Sequence, residues 1–216
     1  MRDGGVGMII AIDGPSAAGK GTLARRLAAH LGLPYLDTGL LYRAVGRLVL
    51  DHGCDPSDPA AAERAARDLR PEHLERGDLR GPEADAAASV AAAIPGVRAA
   101  LLDFQRRFGS AAGAVLDGRD IGTVIFPHAD LKFFITASPE ARALRRWLEQ
   151  RERGGTWDLP AVERDLRARD ERDQSRAAAP LVPADDAVVI DTTALDREAA
   201  FAAVLAVLAV RESRAT

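Results

Sequence analysis

Short apolar runs alternate with helically spaced apolar residues along most of the chain. The first run, residues 8–13, has the length of a buried strand, and a helical pattern of apolar residues follows over 23–31. Gly32 lies where a glycine commonly ends a helix in the left-handed conformation. The pattern predicts a strand, a loop of small residues, and a helix from about Gly19 to about His30.

The same alternation continues through the chain. Apolar runs predict further strands at residues 34–36, 114–116, 131–135 and 187–191. Helical patterns predict helices over residues 38–53, 83–93, 97–108, 139–151, 158–172 and 197–210. Strands that alternate with helices in this way favour an α/β fold, in which a parallel sheet is covered by helices on both faces.

Two of the predicted helices have recognisable starting residues. Ser138 precedes Pro139, which is the usual order of a capping hydroxyl and a proline in the first turn. Asp37 and Thr38 stand where a cap residue belongs, directly after a predicted strand. We therefore expect capped helices to begin at both places.

The periodicity fades between Cys54 and Asp85. Residue pairs that break regular structure recur there, from Asp55-Pro56 to Gly81-Pro82. This stretch is predicted to be a small polar insert with a weak helix over residues 60–69.

Composition narrows the classes of function. The formal net charge of −3 argues against a generally basic nucleic-acid binder. Cys54 is the only cysteine, which excludes an internal disulfide and a cysteine-based metal cluster. No apolar run reaches the roughly 18 residues of a membrane span, and residues 1–7 lack the apolar segment of a signal peptide. We expect a soluble, cytoplasmic protein that binds neither nucleic acid nor membrane.

The loop after the first strand has the spacing of a phosphate-binding loop. Its glycines allow the backbone amides to curl around an anion, and the following helix directs its positive end to the same place. Lys20 adds a charge that can reach between the β- and γ-phosphates of a nucleotide, whereas the alternative is a glycine-rich turn without a ligand. The predicted ATP-binding residues are Gly14, Pro15, Ser16, Ala17, Ala18, Gly19, Lys20, Gly21 and Thr22.

The strict pattern has a serine or threonine directly after the lysine, where this chain has Gly21. Thr22, one residue later, is therefore the candidate to approach a metal ion bound with the nucleotide, and otherwise that position falls to water.

Two clusters follow predicted strands. Arg43 lies about one helical turn after Asp37 and Thr38, where its guanidinium can fork onto a second phosphate, although a solvated arginine on a capped helix fits the pattern too. The segment Asp117–Asp120, with Arg119 inside it, follows the third predicted strand. Ligands of open parallel sheets bind beyond the carboxyl ends of strands, so this segment suits a phosphate with its metal, or a base amine. The alternative is a tight turn with a local ion pair.

Two other groups stand on predicted helices. Ser89 and Arg98, on either side of Pro95-Gly96, can read the edge of a base, although surface helix residues have the same pattern. Arg169, Arg172, Asp173 and Arg176 recur at helical spacing and so share one face. Alternating charges usually mark a solvated helix face. Together with Arg145, Arg146, Arg151 and Arg153, however, they also suit a cover that closes on a polyphosphate.

Longer motifs across nearly the whole chain resemble one family. GPSAAGKGT, DTGLLYR, Ser89 with IPGVRAALL, DGRDIGTVIFP and RDERDQSRAAAPLVPADDA are similar, in this order, to the bacterial cytidylate kinases. The resemblance implies transfer of the γ-phosphate of ATP to CMP or dCMP, with Mg²⁺. It also implies a monomer with a five-stranded parallel sheet of the P-loop nucleoside monophosphate kinase type, a monophosphate-binding insert and an arginine-bearing lid.

The family pattern also implies roles and domain bounds. Thr38, Arg43 and Arg119 would hold the acceptor phosphate, Ser89, Arg98 and Asp120 would face the cytosine, and Arg169 and Asp173 would lie near the sugar. Asp37 and Asp117 are further candidate substrate-binding residues, Arg176 is a lid arginine, and the predicted catalytic residues are Lys20, Arg119, Arg169 and Arg176. The core would comprise residues 1–53 and 96–216, with a lid at about 150–176, and the insert residues 54–95.

The chain departs from the family pattern in the insert. Pro71 to Gly77 occupy the place of a longer family segment with extra strands and are too few for them. The resemblance therefore does not determine how tightly the insert encloses CMP, or how well the enzyme distinguishes CMP and dCMP from UMP.

Three other functions fit the sequence less well than phosphorylation of CMP. A kinase for adenylate or a small metabolite is disfavoured by the base-facing set of Ser89, Arg98 and Asp120. A guanine-binding switch would use an Asn-Lys-x-Asp motif, and the chain has no asparagine. An RNA-binding protein is disfavoured by the acidic net charge and by the lack of an aromatic stacking set.

Overall fold

The structure, a computed structural model, describes residues 7–215 of the chain. The strands are β1 Ile9–Asp13, β2 Tyr35–Asp37, β3 Ala114–Gly118, β4 Leu131–Thr136 and β5 Val188–Asp191. The helices are α1 Lys20–Leu31, α2 Thr38–Asp51, α3 Pro59–Arg67, α4 Pro71–Leu74, α5 Pro82–Ala91, α6 Pro95–Ala112, α7 Pro139–Glu152, α8 Leu159–Ser175 and α9 Arg197–Ala215. The expected lack of a signal peptide concerns residues 1–7, and positions 1–6 lie outside the described residues.

All five strands form one parallel sheet in the order β2-β3-β1-β4-β5. This confirms the predicted α/β fold. The register pairs Asp13 with Gly118 and Asp37 with Asp117, so the carboxyl ends of β1, β2 and β3 lie at the same edge. The loops that leave this edge carry the phosphate-loop residues and the Asp117–Asp120 segment.

The sheet is buried on both faces, as its strand sequences require. Along β1, Ile10 and Ile12 pack with α1 and α9 on one face. Ile9 and Ala11 contribute to a separate cluster on the other face, with residues of β3 and of the turn after it. The helices therefore cover both faces, in agreement with the continuous apolar pattern of residues 8–12.

Most helix boundaries follow the local signals. Gly32 has φ 65° and its amide closes α1 onto the carbonyls of Ala28 and Ala29, and the Ser138 hydroxyl accepts from the amide of Ala141 at 3.2 Å. The expected cap at Asp37 is wrong in one respect, because its side chain makes no capping hydrogen bond to α2. Its carboxylate lies instead 3.6 Å from Nη1 of Arg43, an opposite charge that competes with the helix amides.

The insert is helical throughout its regular part. Helix α3, predicted weakly, buries four alanines, at positions 61, 62, 65 and 66, against α2 and α6, so this part is less polar than its composition indicates. Helix α5 comes very close to α2, where a Cβ at Gly46 would lie 2.8 Å from Cβ of Ala87. The glycine permits this approach and thereby sets the position of α5.

Some elements differ from their prediction in length or kind. Residues 121–125 form a π-helical turn, Ile121–Ile125, which had no pattern of its own. Helix α8 extends to Ser175, so Arg176 follows the helix rather than lying on it. Among the described residues no single helix is long and apolar enough to cross a membrane, although the bent pair α5 and α6 reaches that length and apolarity together.

Candidate active site

The phosphate loop leaves β1 and is shaped by its two glycines. Gly14 has φ 149° and Gly19 φ 92°, which side-chain-bearing residues rarely adopt. A Cβ at Gly14 would also collide with the carbonyl oxygen of Ile135 in β4. Ala17 is left-handed as well, with φ 61°. The loop is therefore a tight curl against the end of the sheet.

Two carbonyl groups of the loop are held from outside. Nη1 of Arg142 donates to the oxygen of Ser16 at 3.3 Å, and the Thr192 hydroxyl donates to that of Ala18 at 2.9 Å. Because the C=O and N–H of one trans peptide point in opposite directions, the amides of Ala17 and Gly19 point away from Arg142 and Thr192. Free amides at the start of a helix are an anion-binding arrangement.

Arg142 is a structural residue of the site that the sequence analysis missed. It is 4% exposed, donates through Nε to the carbonyl of Ala137 at 3.0 Å, and makes two hydrogen bonds to Asp170 in α8, of 3.1 and 2.6 Å. The side chain thus connects the phosphate loop, the end of β4 and α8. No local pattern reveals it, since its partners Asp170 and Ser16 are 28 and 126 residues away.

Replacement of Arg142 by methionine is expected to lower the free energy of unfolding by about 3 kcal/mol, because it leaves the Asp170 charge without its partner. It should also raise the KM for ATP, since the Ser16 carbonyl loses its donor. Urea unfolding and steady-state kinetics measure the two effects. The control is Arg167→Met in α8, whose ion pairs with Glu140 and Glu163 are exposed, and equal stability of the two variants would contradict the prediction.

Lys20 lies at the mouth of the loop with one distant partner. Its Nζ is 3.9 Å from Oδ2 of Asp117, whose Oδ1 accepts from the Tyr35 hydroxyl at 2.7 Å. Burial, and then the nearby Arg119 charge, lowers the pKa of Lys20 to about 7. Burial, and then the charge of Asp37, raises the pKa of Asp117 to about 6. The ammonium is therefore weakly paired and lies where an added anion would stabilise it.

Asp13 is a second residue that the sequence analysis missed. Its two carboxylate oxygens accept from the amides of Ile121 and Gly122, each at 2.8 Å. Burial raises the pKa of this carboxyl to about 7. The contact holds the π-helical turn to the end of β1, and so it positions the preceding residues, Arg119 and Asp120. A buried aspartate that ends a strand was the available signal.

Three arginine–aspartate pairs line the space beyond the strand ends. Nε of Arg119 donates to Oδ2 of Asp173 at 2.7 Å, which joins the end of β3 to α8. Arg98 of α6 pairs with Asp120. Arg176 lies 3.2 Å from the other oxygen of Asp173. Burial penalises the charged form of Asp173, but the charges of Arg119, Arg176 and Arg169 outweigh it and hold its pKa below the ordinary value.

Ser89 and Thr38 are hydrogen-bonded to other parts of the protein. The Thr38 hydroxyl donates to the carbonyl of Asp117 at 2.8 Å. The Ser89 hydroxyl accepts from Nε of Arg172 at 3.1 Å, so it does not pair with Arg98. Both side chains nevertheless border the same pocket.

One pocket collects the acceptor-side residues that the sequence singled out. They come from seven helices and strands, from the phosphate loop and from the segments after β3 and α8. The lining includes Ser16, Lys20, Asp37, Thr38, Arg43, Ser89, Arg98, Asp117, Arg119, Asp120, Arg169, Asp173 and Arg176. The other phosphate-loop residues, Gly14, Pro15, Ala17, Ala18, Gly19, Gly21 and Thr22, belong to the adjoining curl and to the first turn of α1.

The other arginines of the predicted cover lie elsewhere. Arg145 donates to Thr192 and Arg146 pairs with Asp85 and Glu149. Arg153 pairs with Glu149, and Arg151 stacks over the ring of Trp147. In this structure, therefore, Arg169 and Arg176 are the only two of the seven cover arginines that line the pocket, together with Asp173.

The charges around the pocket do not balance. Lys20 and five arginines face four aspartates, and the excess is positive. Arg169 carries the clearest sign of this, because its Nε is buried without a hydrogen-bond partner among the described residues. Burial, and then repulsion by Arg119, lowers the pKa of Arg169 to about 9. A buried cation in this state favours the binding of an anion.

The donor groups present fit a metal ion only as a companion of the nucleotide. Among the described residues, no three His, Cys, Asp or Glu side chains cluster as a metal site. Both oxygens of Asp13 already accept backbone amides. The exposed hydroxyl of Thr22, at the start of α1, is available to such an ion.

Comparison with known proteins identifies one family. The cytidylate kinase family model matches residues 10–209. Proteins named cytidylate kinase from Methylocella silvestris and Acidiphilium cryptum are 66% and 63% identical over 202 and 196 residues. These alignments cover 93% and 91% of this chain and 94% and 92% of the relatives. The relatives are thus of nearly the same length, which leaves little room for a longer insert in them.

A solved structure shows the same fold at low sequence identity. The crystal structure of an uncharacterized protein from Eubacterium ventriosum superposes with a TM-score of 0.54 at 14% identity, over 95% of this chain and 99% of that one. This likeness concerns the fold alone.

Proposed function

Because the chain belongs to the cytidylate kinase family, it transfers the γ-phosphate of ATP to CMP or dCMP, and we propose that the transfer takes place in the basic pocket beside the phosphate loop. The observation that supports this location is the unbalanced positive charge of the lining, which includes Arg169 with its buried and unpaired Nε. A pocket of this kind favours phosphate groups and disfavours cationic ligands.

The phosphate loop would hold the donor nucleotide. The amides of Ala17 and Gly19 and the start of α1 would bind its phosphates, and Lys20 would neutralise the group in transit. The supporting feature is that Lys20 lies between this loop and the acceptor pocket, and it lines that pocket as well. Phosphoryl transfer depends mainly on position and charge neutralisation, so no general base is required for the acceptor oxygen.

The acceptor phosphate would lie against Thr38, Arg43 and Arg119, with Arg169, Asp173 and Arg176 beside the sugar and the phosphate. Arg43 and Arg119 can fork onto a phosphate, since each pairs with a protein carboxylate through Nε. Asp37 and Asp117 orient Arg43 and Lys20 respectively. In these positions the acceptor would lie end to end with the donor.

Ser89, Arg98 and Asp120 would read the cytosine. Arg98 and Asp120 are buried and paired with each other, so a donor and an acceptor are presented side by side. Cytosine has an amine donor next to a ring-nitrogen acceptor, which complements such a pair. Uracil has a carbonyl in place of the amine and would leave the Asp120 carboxylate unpaired or repelled.

Asp120→Asn is expected to narrow the preference for CMP over UMP in kcat/KM, because a neutral amide can donate to the uracil carbonyl while a carboxylate cannot. An unpaired buried group costs about 1–3 kcal/mol, which corresponds to roughly 5- to 150-fold in the ratio. Initial rates of ADP formation with CMP, dCMP, UMP and AMP measure the preference. If the ratio stays at its wild-type value, Asp120 does not read the base, whatever happens to the overall rate.

Mg²⁺ would accompany the ATP, and when bound it would supply charge neutralisation between the phosphates. The available protein ligand is the hydroxyl of Thr22, with the remaining positions taken by the nucleotide and water.

The two lobes that would close around the substrates are the insert, residues 54–95, and the lid, about residues 150–176, on a core of residues 1–53 and 96–216. Contacts from α8 to both the core and α5, through Asp173 and Arg172, support this division.

A further inference from the structure

Asp85 is a buried aspartate of the insert that the reaction as described does not use. It lies in α5, is 4% exposed, and is approached by guanidinium groups from three other helices. Its Oδ1 accepts from Nε of Arg43 at 2.9 Å and lies 3.6 Å from Nη1 of Arg169. Its Oδ2 forms an ion pair with Arg146 but accepts no directed hydrogen bond among the described residues. One carboxylate thus joins α5 of the insert to α2 of the core and to α7 and α8.

The carboxylate lies behind the phosphate-binding arginines. Arg43 and Arg169 line the acceptor pocket, whereas Asp85 does not. Arg43 donates to Asp85 through Nε, which leaves its two Nη groups for a ligand. Arg146 is outside this pocket and borders a separate groove with Arg80 and Trp157. Asp85 therefore does not occupy the position of the acceptor phosphate, and contacts the arginines from the far side.

The three guanidinium groups share this one carboxylate, and they differ in what other acidic partners they have. Arg43 has one further acidic neighbour, Asp37, at 3.6 Å, and Arg146 has Glu149 at 3.1 Å. For Arg169, Asp85 is the only carboxylate within ion-pair distance among the described residues. Like charges that converge in a buried place repel one another unless a counter-charge holds them. Loss of the carboxylate would consequently separate Arg43 from Arg169.

The position of Asp85 is itself set by packing. Two residues later Ala87 contacts α2 at Gly46, where no larger residue fits. Ser89 is one helical turn after Asp85 on the same face of α5, and it accepts from Arg172 of α8. The phosphate-side arginines and the base-side serine are therefore attached to the same rigid helix.

We propose that Asp85 is a positioning residue for the acceptor: it holds Arg43 and Arg169 at the spacing of one phosphate group and, through Arg146, ties the insert to α7 and α8. The role rests on the proposed acceptor site. It acts through the arginines and involves no contact with the substrate. It should therefore affect the binding of CMP more than that of ATP.

The test compares Asp85→Asn, which keeps the shape and removes the charge, with Glu83→Gln in the same helix. Glu83 is exposed and pairs with Arg47 away from the pocket, so the control removes one carboxylate of α5 without touching the arginine cluster. Asp85→Asn is expected to raise KM for CMP at least about fivefold, to change KM for ATP less than about twofold, and to weaken inhibition by inorganic phosphate competing with CMP. The control should match the wild type in all three.

A second variant decides the matter if Asp85→Asn does not fold. Arg146→Gln removes the tether to α7 and leaves every residue of the acceptor pocket in place, and it is expected to raise KM for CMP about two- to threefold. An unchanged KM for CMP in folded Asp85→Asn, or in Arg146→Gln if that is the only folded variant, overturns the proposal. A lowered KM overturns it too, since it would mean that the carboxylate competes with the phosphate.

Arg43→Gln separates this proposal from the acceptor site on which it rests. A rise in KM for CMP with Arg43→Gln but not with Asp85→Asn would reject the role of Asp85 alone. No rise with either variant would show that the acceptor phosphate binds elsewhere.

Discussion

Lys20→Met is expected to lower kcat by at least about 10²-fold while the circular dichroism spectrum remains that of the wild type, because a preorganised charge is lost at the migrating phosphoryl group. Methionine keeps the length and most of the volume of the lysine stem. The fold loses only a long ion pair to Asp117, of 3.9 Å. The loss should therefore appear in the rate and hardly at all in stability.

A pH-dependent measurement tests the role of Lys20 in binding ATP independently of the substitution. The free enzyme holds the pKa of Lys20 at about 7, through burial and then Arg119, so at about pH 8.5 the side chain is mostly neutral, unlike an ordinary lysine. A bound triphosphate favours the ammonium form. ATP binding at that pH should consequently take up a proton, which calorimetry in buffers of different ionisation enthalpy measures.

The control for both experiments is Arg26→Met in the same helix. Arg26 pairs with Glu198 and stacks over Phe201, remote from the pocket. Its replacement should leave kcat and proton uptake at wild-type levels. A folded Lys20→Met enzyme with near-normal turnover would remove the phosphate-loop interpretation, and uptake that persists in that variant would assign the proton to another group.

Arg169→Met is expected to lower kcat/KM for CMP by about 10²- to 10³-fold and to leave the free energy of unfolding unchanged or higher. The two effects have one cause. The Nε atom of Arg169 is buried without a hydrogen-bond partner beside other cations, and among the described residues Asp85, at 3.6 Å, has the only carboxylate within ion-pair distance. Such a cation destabilises the empty protein and gains its partner when the phosphate binds.

Steady-state kinetics and urea unfolding on the same preparations measure the loss of kcat/KM for CMP and the change in the free energy of unfolding. The control is again Arg167→Met, an exposed arginine of α8, which should change neither quantity appreciably. If Arg169→Met has a clearly lower free energy of unfolding than the wild type, Arg169 stabilises the fold, and its lowered pKa does not indicate an anion-binding site. If activity is retained, the residue does not bind the acceptor.

The candidate residues that follow a local signal could be selected from the sequence, and the structure brings them to one pocket. Lys20 has a glycine loop before it and a helix after it, and Arg119 and Asp120 directly follow a buried strand. In a parallel sheet the carboxyl ends share one edge, so residues after different strands converge without any contact being known in advance. The base-side residues and those of α8 depended on the resemblance of longer motifs to the cytidylate kinases.

Residues whose importance comes from distant partners were not predictable in this way. Asp85 stands where the stretch without periodicity meets the predicted helix over residues 83–93, and its partners Arg43 and Arg169 are 42 and 84 positions away. Asp13 and Arg142 likewise bind segments more than 100 residues distant. Asp37 is an example in which a local signal gave a wrong prediction. Its position predicted a side-chain cap for α2, but its carboxylate lies near Arg43 instead.

By itself, the sequence determined the strands, most helix boundaries, the phosphate loop and the edge of the sheet at which the candidate site lies. These depend on periodicity and on backbone preferences that act over a few residues. Only the tertiary structure decided which charges are paired. It joined Asp85 to three helices, left Arg169 incompletely paired and placed Arg142 behind the phosphate loop. Coulomb energies depend on distance and burial, and these are set when the helices pack around the sheet.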